Sequence, residues 1–301
     1  MNIAFIGLGK MGHGLSKRAK EGGFTTYGFA PSESSRQEAA AEGIIVTETL
    51  KDLVEKTPKP RVFWVMVPAG DITRQVIIDL STLLDKGDIV VDGGNSYFKD
   101  SVENYQLLKD QGIDFLDCGT SGGLKGEEIG YSMMIGGEQD VYETVRPLFD
   151  ALAAPEAYDY MGGPGSGHYV KMTHNGVEYA IMQAMAEGFE LIKEGEYPEL
   201  DMVRVTKVWK NASIIRSYLM DLAHQAFLND PELTAHSDRV DDNGMGRWTV
   251  KTAIDNGIPA HTISEAVYAR FRSQQESSFA GRSLAALRNE FGGHKVHKKE
   301  E

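Results

Sequence analysis

Met1-Asn2-Ile3-Ala4-Phe5-Ile6-Gly7-Leu8-Gly9-Lys10-Met11-Gly12 opens the chain, and its reading decides the fold of the first half. Ile3 to Ile6 is a short apolar run, the pattern of a strand buried on both faces. It leads directly into Gly7-Leu8-Gly9-Lys10-Met11-Gly12, a G-x-G-x-x-G turn, and Leu15 to Lys20 then reads as helix that ends near Gly22-Gly23. In such a unit the first glycine permits the tight turn, the second lets a pyrophosphate approach the backbone, and the third lets helix pack on strand. The helix start adds unpaired N–H groups and a positive dipole end. A dinucleotide held by Gly7, Leu8, Gly9, Lys10, Met11 and Gly12 is the expected ligand.

Working outward, further strands are expected at Phe24 to Phe29, Val62 to Val67 before Pro68, Ile89 to Asp92, Ile113 to Asp117 and Tyr131 to Ile135. Strands alternating with helical stretches predict a Rossmann-like, doubly wound parallel α/β sheet. Met161-Gly162-Gly163-Pro164-Gly165-Ser166-Gly167 reads as a junction. Beyond it the pattern is helical, with Val170 to Lys193, Met202 to Leu228 and Ile263 to Gln275 as helices, and Ser283 to Glu301 as one short helical turn with a basic tail. The expected division is a dinucleotide-binding domain over residues 1–163 and an all-α substrate and dimerisation domain over 164–301.

The chain has 301 residues, 41% hydrophobic and 25% charged, enough for a proper core. Its net charge of -13 disfavours nucleic acid and anionic membrane as partners, so an anionic substrate needs a local cluster of Lys and Arg. The single cysteine, Cys118, cannot form an internal disulfide, and the start of the chain lacks the basic and apolar regions of a signal peptide. No run of about 18 apolar residues is present. A cytoplasmic protein is expected.

The second strand usually ends on an acid that holds the ribose 2′-hydroxyl. Here Tyr27-Gly28-Phe29-Ala30-Pro31-Ser32 carries no carboxylate before Glu33. Nothing there repels a 2′-phosphate, and Ser32 and Arg36 could contact one. This tilts the expected cofactor toward NADP, with NAD the alternative; Ala30, Val67 and Pro68 are counted with the cofactor residues.

In His168-Tyr169-Val170-Lys171-Met172-Thr173-His174-Asn175-Gly176-Val177-Glu178-Tyr179, the residues Lys171, His174, Asn175 and Glu178 fall at i, i+3, i+4 and i+7. That spacing puts them on one helix face, where a core helix is normally apolar. A solvated, salt-bridged face would give the same spacing, but Val170, Met172, Val177 and Met182 flank it. A lysine in a cleft can act as base near neutral pH, with a glutamate as the complementary acid.

These residues resemble the 6-phosphogluconate dehydrogenase family, in a short form within the β-hydroxyacid dehydrogenases. Besides the glycine turn, Asp92-Gly93-Gly94-Asn95-Ser96 is similar to the family loop whose asparagine, here Asn95, contacts substrate and nicotinamide. Cys118-Gly119-Thr120-Ser121-Gly122-Gly123 is similar to the substrate clamp, and Lys171 to Tyr179 to the catalytic K-x-x-H-N-x-x-E-Y motif. Arg270 matches the phosphate arginine, and Leu287-Arg288-Asn289-Glu290-Phe291-Gly292-Gly293-His294 the tail whose Arg288 and His294 reach a neighbouring subunit's site. The resemblance implies oxidative decarboxylation of 6-phospho-D-gluconate to D-ribulose 5-phosphate, a step of the pentose phosphate pathway. Lys171 is then base and acid, Glu178 the second acid, and Asn175 and His174 orient hydroxyls. Ser121, Gly122 and Gly123 hold the carboxylate, while Tyr179, Arg270 and a partner's Arg288 hold the phosphate. It implies no metal and a homodimer, or tetramer, with shared sites. One loop departs: the long form reads Lys-Gly-Thr-Gly-Lys-Trp where this chain has Asn243-Gly244-Met245-Gly246-Arg247-Trp248, so two phosphate contacts do not carry over. The alternatives are a simple 3-hydroxyacid dehydrogenase, the same reaction on a sugar acid with another terminal anion such as a sulfonate, and a non-catalytic dinucleotide sensor.

Overall fold

The computed structural model describes residues 1–293, 295 and 297, without the Leu124 side chain. Two compact units emerge, Met1–Asn175 and Gly176–Glu301. The first begins with β1 (Asn2–Ile6), α1 (Lys10–Glu21), β2 (Thr25–Phe29), α2 (Glu33–Ala41), β3 (Ile45–Thr47) and α3 (Leu50–Lys56). It continues with β4 (Arg61–Val65), α4 (Asp71–Leu83), β5 (Ile89–Asp92), α5 (Phe98–Lys109), β6 (Asp114–Ser121), α6 (Gly126–Ile129), β7 (Tyr131–Gly137), α7 (Gln139–Leu152) and β8 (Ala153–Gly162). The strands form one sheet in the order β3-β2-β1-β4-β5-β6-β7-β8.

Strand alternation explains why the sheet is covered on both faces. Ile3, Phe5, Val62, Trp64, Ile89 and Val91 point into one core. Ala4, Ile6, Phe63, Val65 and Val90 point into the other. The strand order reverses between β1 and β4, so a crevice opens at their carboxyl ends, the usual ligand position of such sheets. β6 to β7 is antiparallel. The connection is only Gly122 to Gly130, too short for a parallel crossover.

At the opposite, amino-terminal end of β4, Arg61 is clamped. Its Nε and Nη2 donate to the two oxygens of Asp88 at 2.9 and 2.8 Å, and its Nη1 donates to the Val54 and Thr57 carbonyls at 2.6 and 3.2 Å. Both partners of this pair are buried.

α8 (Ser166–Glu194) crosses from the first unit into the second, which continues with α9 (Met202–Lys210), α10 (Tyr218–Asn229), α11 (Met245–Asp255), α12 (His261–Ser273) and α13 (Phe279–Gly292). α9 packs on α10, with Phe189 of α8 stacked on Trp209 and edge-on to Phe227. α11 packs on α12 around Tyr179, Ala266 and Val267. Among the described residues no helix is long and apolar enough to cross a membrane.

Several elements differ from the sequence reading. Met202 to Leu228 is two helices, because Ala212 takes a positive φ of 71° and Ser217 caps a new start by accepting from Met220 N. β3 is a three-residue edge strand, and β8 carries Pro155 and half-exposed residues, so neither shows strand periodicity. α11 was not expected. The last segment is a 14-residue helix, α13, with no buried residue, rather than one turn.

Candidate active site

The glycine turn is built as its sequence demands. Gly7 has φ 98°, and a Cβ there would lie 2.2 Å from the Met66 carbonyl oxygen. A Cβ on Gly12 would lie 1.9 Å from the Gly7 oxygen, so α1 can approach β1 only without one. Around Gly9 nothing stands within 4 Å of that position, and no side chain caps α1. Free N–H groups and open space together fit a pyrophosphate. Leu8 is buried in the core, so its backbone alone faces the turn; Lys10 is exposed and Met11 half-buried.

At the end of β2, Arg36 Nη1 donates to the carbonyls of Ala30 and Pro31 at 2.7 and 2.9 Å. Ser32 is exposed and caps α2 by accepting from Ser35 N. Ala30, only 4% exposed, packs in the core, so a ribose contact there falls to backbone and to Ser32. Val67 is half-buried and Pro68 exposed just past β4.

Past β5, Asp92 Oδ1 accepts from Gly94 N at 3.1 Å, which turns the chain. The result presents Asn95 exposed between buried Gly94 and Ser96. Past β6, Ser121 and Gly122 are half-buried, and Gly123 begins a short 3-10 turn. α1 steadies this loop: Lys17 Nζ lies 3.0 Å from Glu127 Oε1, and Arg18 Nη1 donates to the Glu127 carbonyl at 3.2 Å. The residues expected to hold cofactor and substrate in this sheet thus lie at the carboxyl ends of β1, β2, β4, β5 and β6, on the turns there or at the start of the helices that follow.

Lys171 lies on α8 and is 4% exposed. A Cβ on Gly119 of β6 would fall 2.2 Å from the Lys171 Cβ, so glycine there is what lets the lysine lie against the strand. Asn175 is buried, and its Oδ1 lies 3.0 Å from Nδ1 of exposed His174. Glu178, further along the same helix, is half-buried.

In the second unit, buried Tyr179 donates its hydroxyl to Asn243 Oδ1 at 2.8 Å. The Arg270 guanidinium lies 3.6 Å from the Tyr179 ring centre, and its Nη1 donates to the Asp241 carbonyl at 2.9 Å. Burial pushes the Tyr179 phenol above its usual range, against the opposing pull of the Asn243 amide and Arg270. Asn243 Oδ1 also accepts from Met245 N at the start of α11. The departing loop therefore organises Tyr179 through Asn243, a role the sequence reading missed; Asn-Gly ahead of a helix was the available signal. Arg288 is exposed on α13, and His294 lies outside the described residues. Among the described residues no group of three or more His, Cys, Asp or Glu is placed to hold a metal ion.

The reversing strand order and the glycine turn define a Rossmann-type dinucleotide-binding protein. Residues 2–163 match the NAD-binding domain of 6-phosphogluconate dehydrogenase, and residues 167–301 match that enzyme's C-terminal domain. The NAD+-dependent, decarboxylating 6-phosphogluconate dehydrogenase of Haloferax volcanii is 41% identical, with all of both chains covered. The decarboxylating enzyme of Escherichia coli is 35% identical over 90% of this chain and 61% of its own length. The Plasmodium falciparum 6-phosphogluconate dehydrogenase, solved in apo form, with NADP+ and with 6-phosphogluconate, superposes with a TM-score of 0.81 at 28% identity, covering 100% of this chain and 67% of that one. The chain belongs to the 6-phosphogluconate dehydrogenase family.

Proposed function

We propose that the protein oxidises 6-phospho-D-gluconate with NAD(P)+ and releases carbon dioxide to give D-ribulose 5-phosphate. The observation that carries this reading is the buried Lys171, seated on Gly119 with Asn175 one turn on. Gly7 to Gly12 and the start of α1 hold the pyrophosphate, and Asn95 faces both nicotinamide and substrate. The bound nicotinamide supplies the acceptor for the hydride that leaves C3.

Asn175 and His174 orient the substrate hydroxyls, and Ser121, Gly122 and Gly123 hold its carboxylate. Lys171 takes the C3 hydroxyl proton as the hydride departs. In the resulting 3-keto acid the carboxylate is β to a carbonyl. The C1–C2 bond breaks, its electron pair passes toward the C3 oxygen, and Lys171 returns the proton there. Glu178 then donates a proton to the carbon that lost the carboxylate, while Lys171 recovers the proton from the oxygen. Tyr179 and Arg270 hold the phosphate, joined by Arg288 and His294 of a second copy; arginine suits bidentate contact with such an anion.

The bare end of β2, with Arg36 on the Ala30 and Pro31 carbonyls, supports NADP as the cofactor. The Haloferax volcanii relative is named NAD+-dependent. Initial rates with 6-phosphogluconate and each cofactor, with carbon dioxide measured alongside, test the reading. Cofactor reduction without carbon dioxide would turn it into simple hydroxyacid oxidation. Asn243 and Met245 favour one second reading, the same reaction on a sugar acid with another terminal anion; turnover of a sulfonated gluconate in preference to the phosphate would establish it.

A further inference from the structure

We propose that Asp117, His168 and Ser101 form a buried clamp that positions Lys171, through the first turn of α8, relative to the loop that carries Asn95. This rests on the roles given to Lys171 and Asn95 above.

The first turn of a helix leaves its N–H groups without partners inside the helix. At α8 two amides at this start are taken by one carboxylate from another element. Asp117, fully buried on β6, accepts from Gly165 N through Oδ1 at 2.7 Å and from His168 N through Oδ2 at 2.8 Å. Burial pushes the Asp117 carboxyl up, and His168 with the two amides pulls it back. Two residues further along β6 is Gly119, against which the Lys171 Cβ rests. The same strand therefore fixes both the start of α8 and the seat of the lysine.

His168 provides the second tie. It precedes Lys171 by three residues, hence on the same side of the helix. Its ring is fully buried, and Nδ1 lies 2.7 Å from Oγ of fully buried Ser101. Ser101 is on α5, which begins at Phe98, three residues after Asn95. Nε2 of the same ring makes no hydrogen bond among the described residues. The imidazole thus acts through one nitrogen, as a link between the helix of Lys171 and the helix that follows Asn95. With no exposed surface, Asp117, His168 and Ser101 are positioning residues, not catalytic ones.

The test compares His168→Leu, His168→Asn, Ser101→Ala and Lys171→Met by kcat, KM, the dinucleotide dissociation constant and Tm. An asparagine amide can occupy the place of Nδ1, whereas leucine cannot hydrogen-bond. Displacing a reacting group by about 1 Å costs on the order of a hundredfold in rate. His168→Leu is expected to lower kcat by about that factor and Ser101→Ala by about tenfold. Dinucleotide affinity stays at the parent value, and His168→Asn recovers most of the lost kcat. Parental kcat in both His168→Leu and Ser101→Ala overturns the clamp. So does an asparagine variant no better than leucine, or dinucleotide affinity falling in step with kcat. If the leucine variant does not fold, Ser101→Ala, which deletes one hydroxyl, decides alone. Continued turnover in Lys171→Met would instead overturn the reading of the site on which the clamp rests.

Discussion

Replacing Lys171 by Met and Glu178 by Gln should separate the two proton-handling steps. Lys171→Met removes base and acid together, so kcat should fall by at least about a thousandfold while the dinucleotide still binds. Glu178→Gln keeps the shape but cannot deliver a proton, so kcat should fall with KM nearly constant; a rise in KM alone would make Glu178 a binding residue. A second prediction concerns Ser32, which caps α2 and is exposed at the end of β2. Ser32→Asp keeps a capping oxygen and adds a carboxylate where a 2′-phosphate would lie. Preference should move toward NAD by about 1 to 3 kcal/mol, read as the ratio of kcat/KM for the two cofactors. Ala30 is the wrong place for this experiment, because its side chain is in the core. Local structure was legible where residues form a contiguous motif: the turn at Gly7 to Gly12 and the single helix that carries Lys171 to Glu178. Asp117 and Asn243 were not, because the groups they satisfy lie 48 and 64 residues away in the chain.

At the scale of elements, what was legible followed burial. β1, β4 and β5 are lined on both faces by apolar side chains, and their sequences read as continuous apolar runs. β3 and β8 lie at the two edges of the sheet, with mixed exposure, and carry no such run. α13 escaped for a related reason. It buries nothing in the single chain, so its apolar residues have no core to explain them, although Ser278 caps it by accepting from Gly281 N. Phe279, Leu284, Leu287 and Phe291 are all largely exposed on it. The proposed contact with a second copy would cover this apolar face and order the helix. Truncation after Ser278 should therefore raise KM for the sugar phosphate strongly and leave dinucleotide affinity close to that of the full chain, as steady-state kinetics and a binding titration would report.

At the scale of the whole molecule, the net charge of -13 sets a problem for a substrate that carries a carboxylate and a phosphate dianion, and few cations of one chain are proposed to meet it. Arg270 is held to Asp241 and stacked on Tyr179, and Arg288 is exposed on α13. Completion of the anion site by a second copy can be measured by mixing. In the proposed dimer, Lys171→Met chains combined with chains lacking α13 and the tail would give hybrids with one intact lysine opposite one intact tail. Activity should reappear in the mixture; none, with the hybrid confirmed by mass, would mean that the tail serves its own subunit.

The Arg61–Asp88 pair has a consequence for how this protein tolerates heat and sequence change. It sits at the amino-terminal end of β4, while the glycine turn and the Asn95 and Gly122 loops proposed to hold cofactor and substrate follow the carboxyl ends of β1, β5 and β6. Removing Asp88 leaves buried Arg61 with only the exposed Asp85, 3.3 Å from its Nη2, so the loss is at most the about 3 to 5 kcal/mol of a fully stranded buried charge. Asp88→Asn should thus lower the melting temperature by several degrees, as calorimetry would show, yet leave kcat and both KM values unaltered at temperatures where the chain is folded. Substitutions at that end of the sheet then change how much enzyme a cell retains, and those at the other end change what each molecule can do.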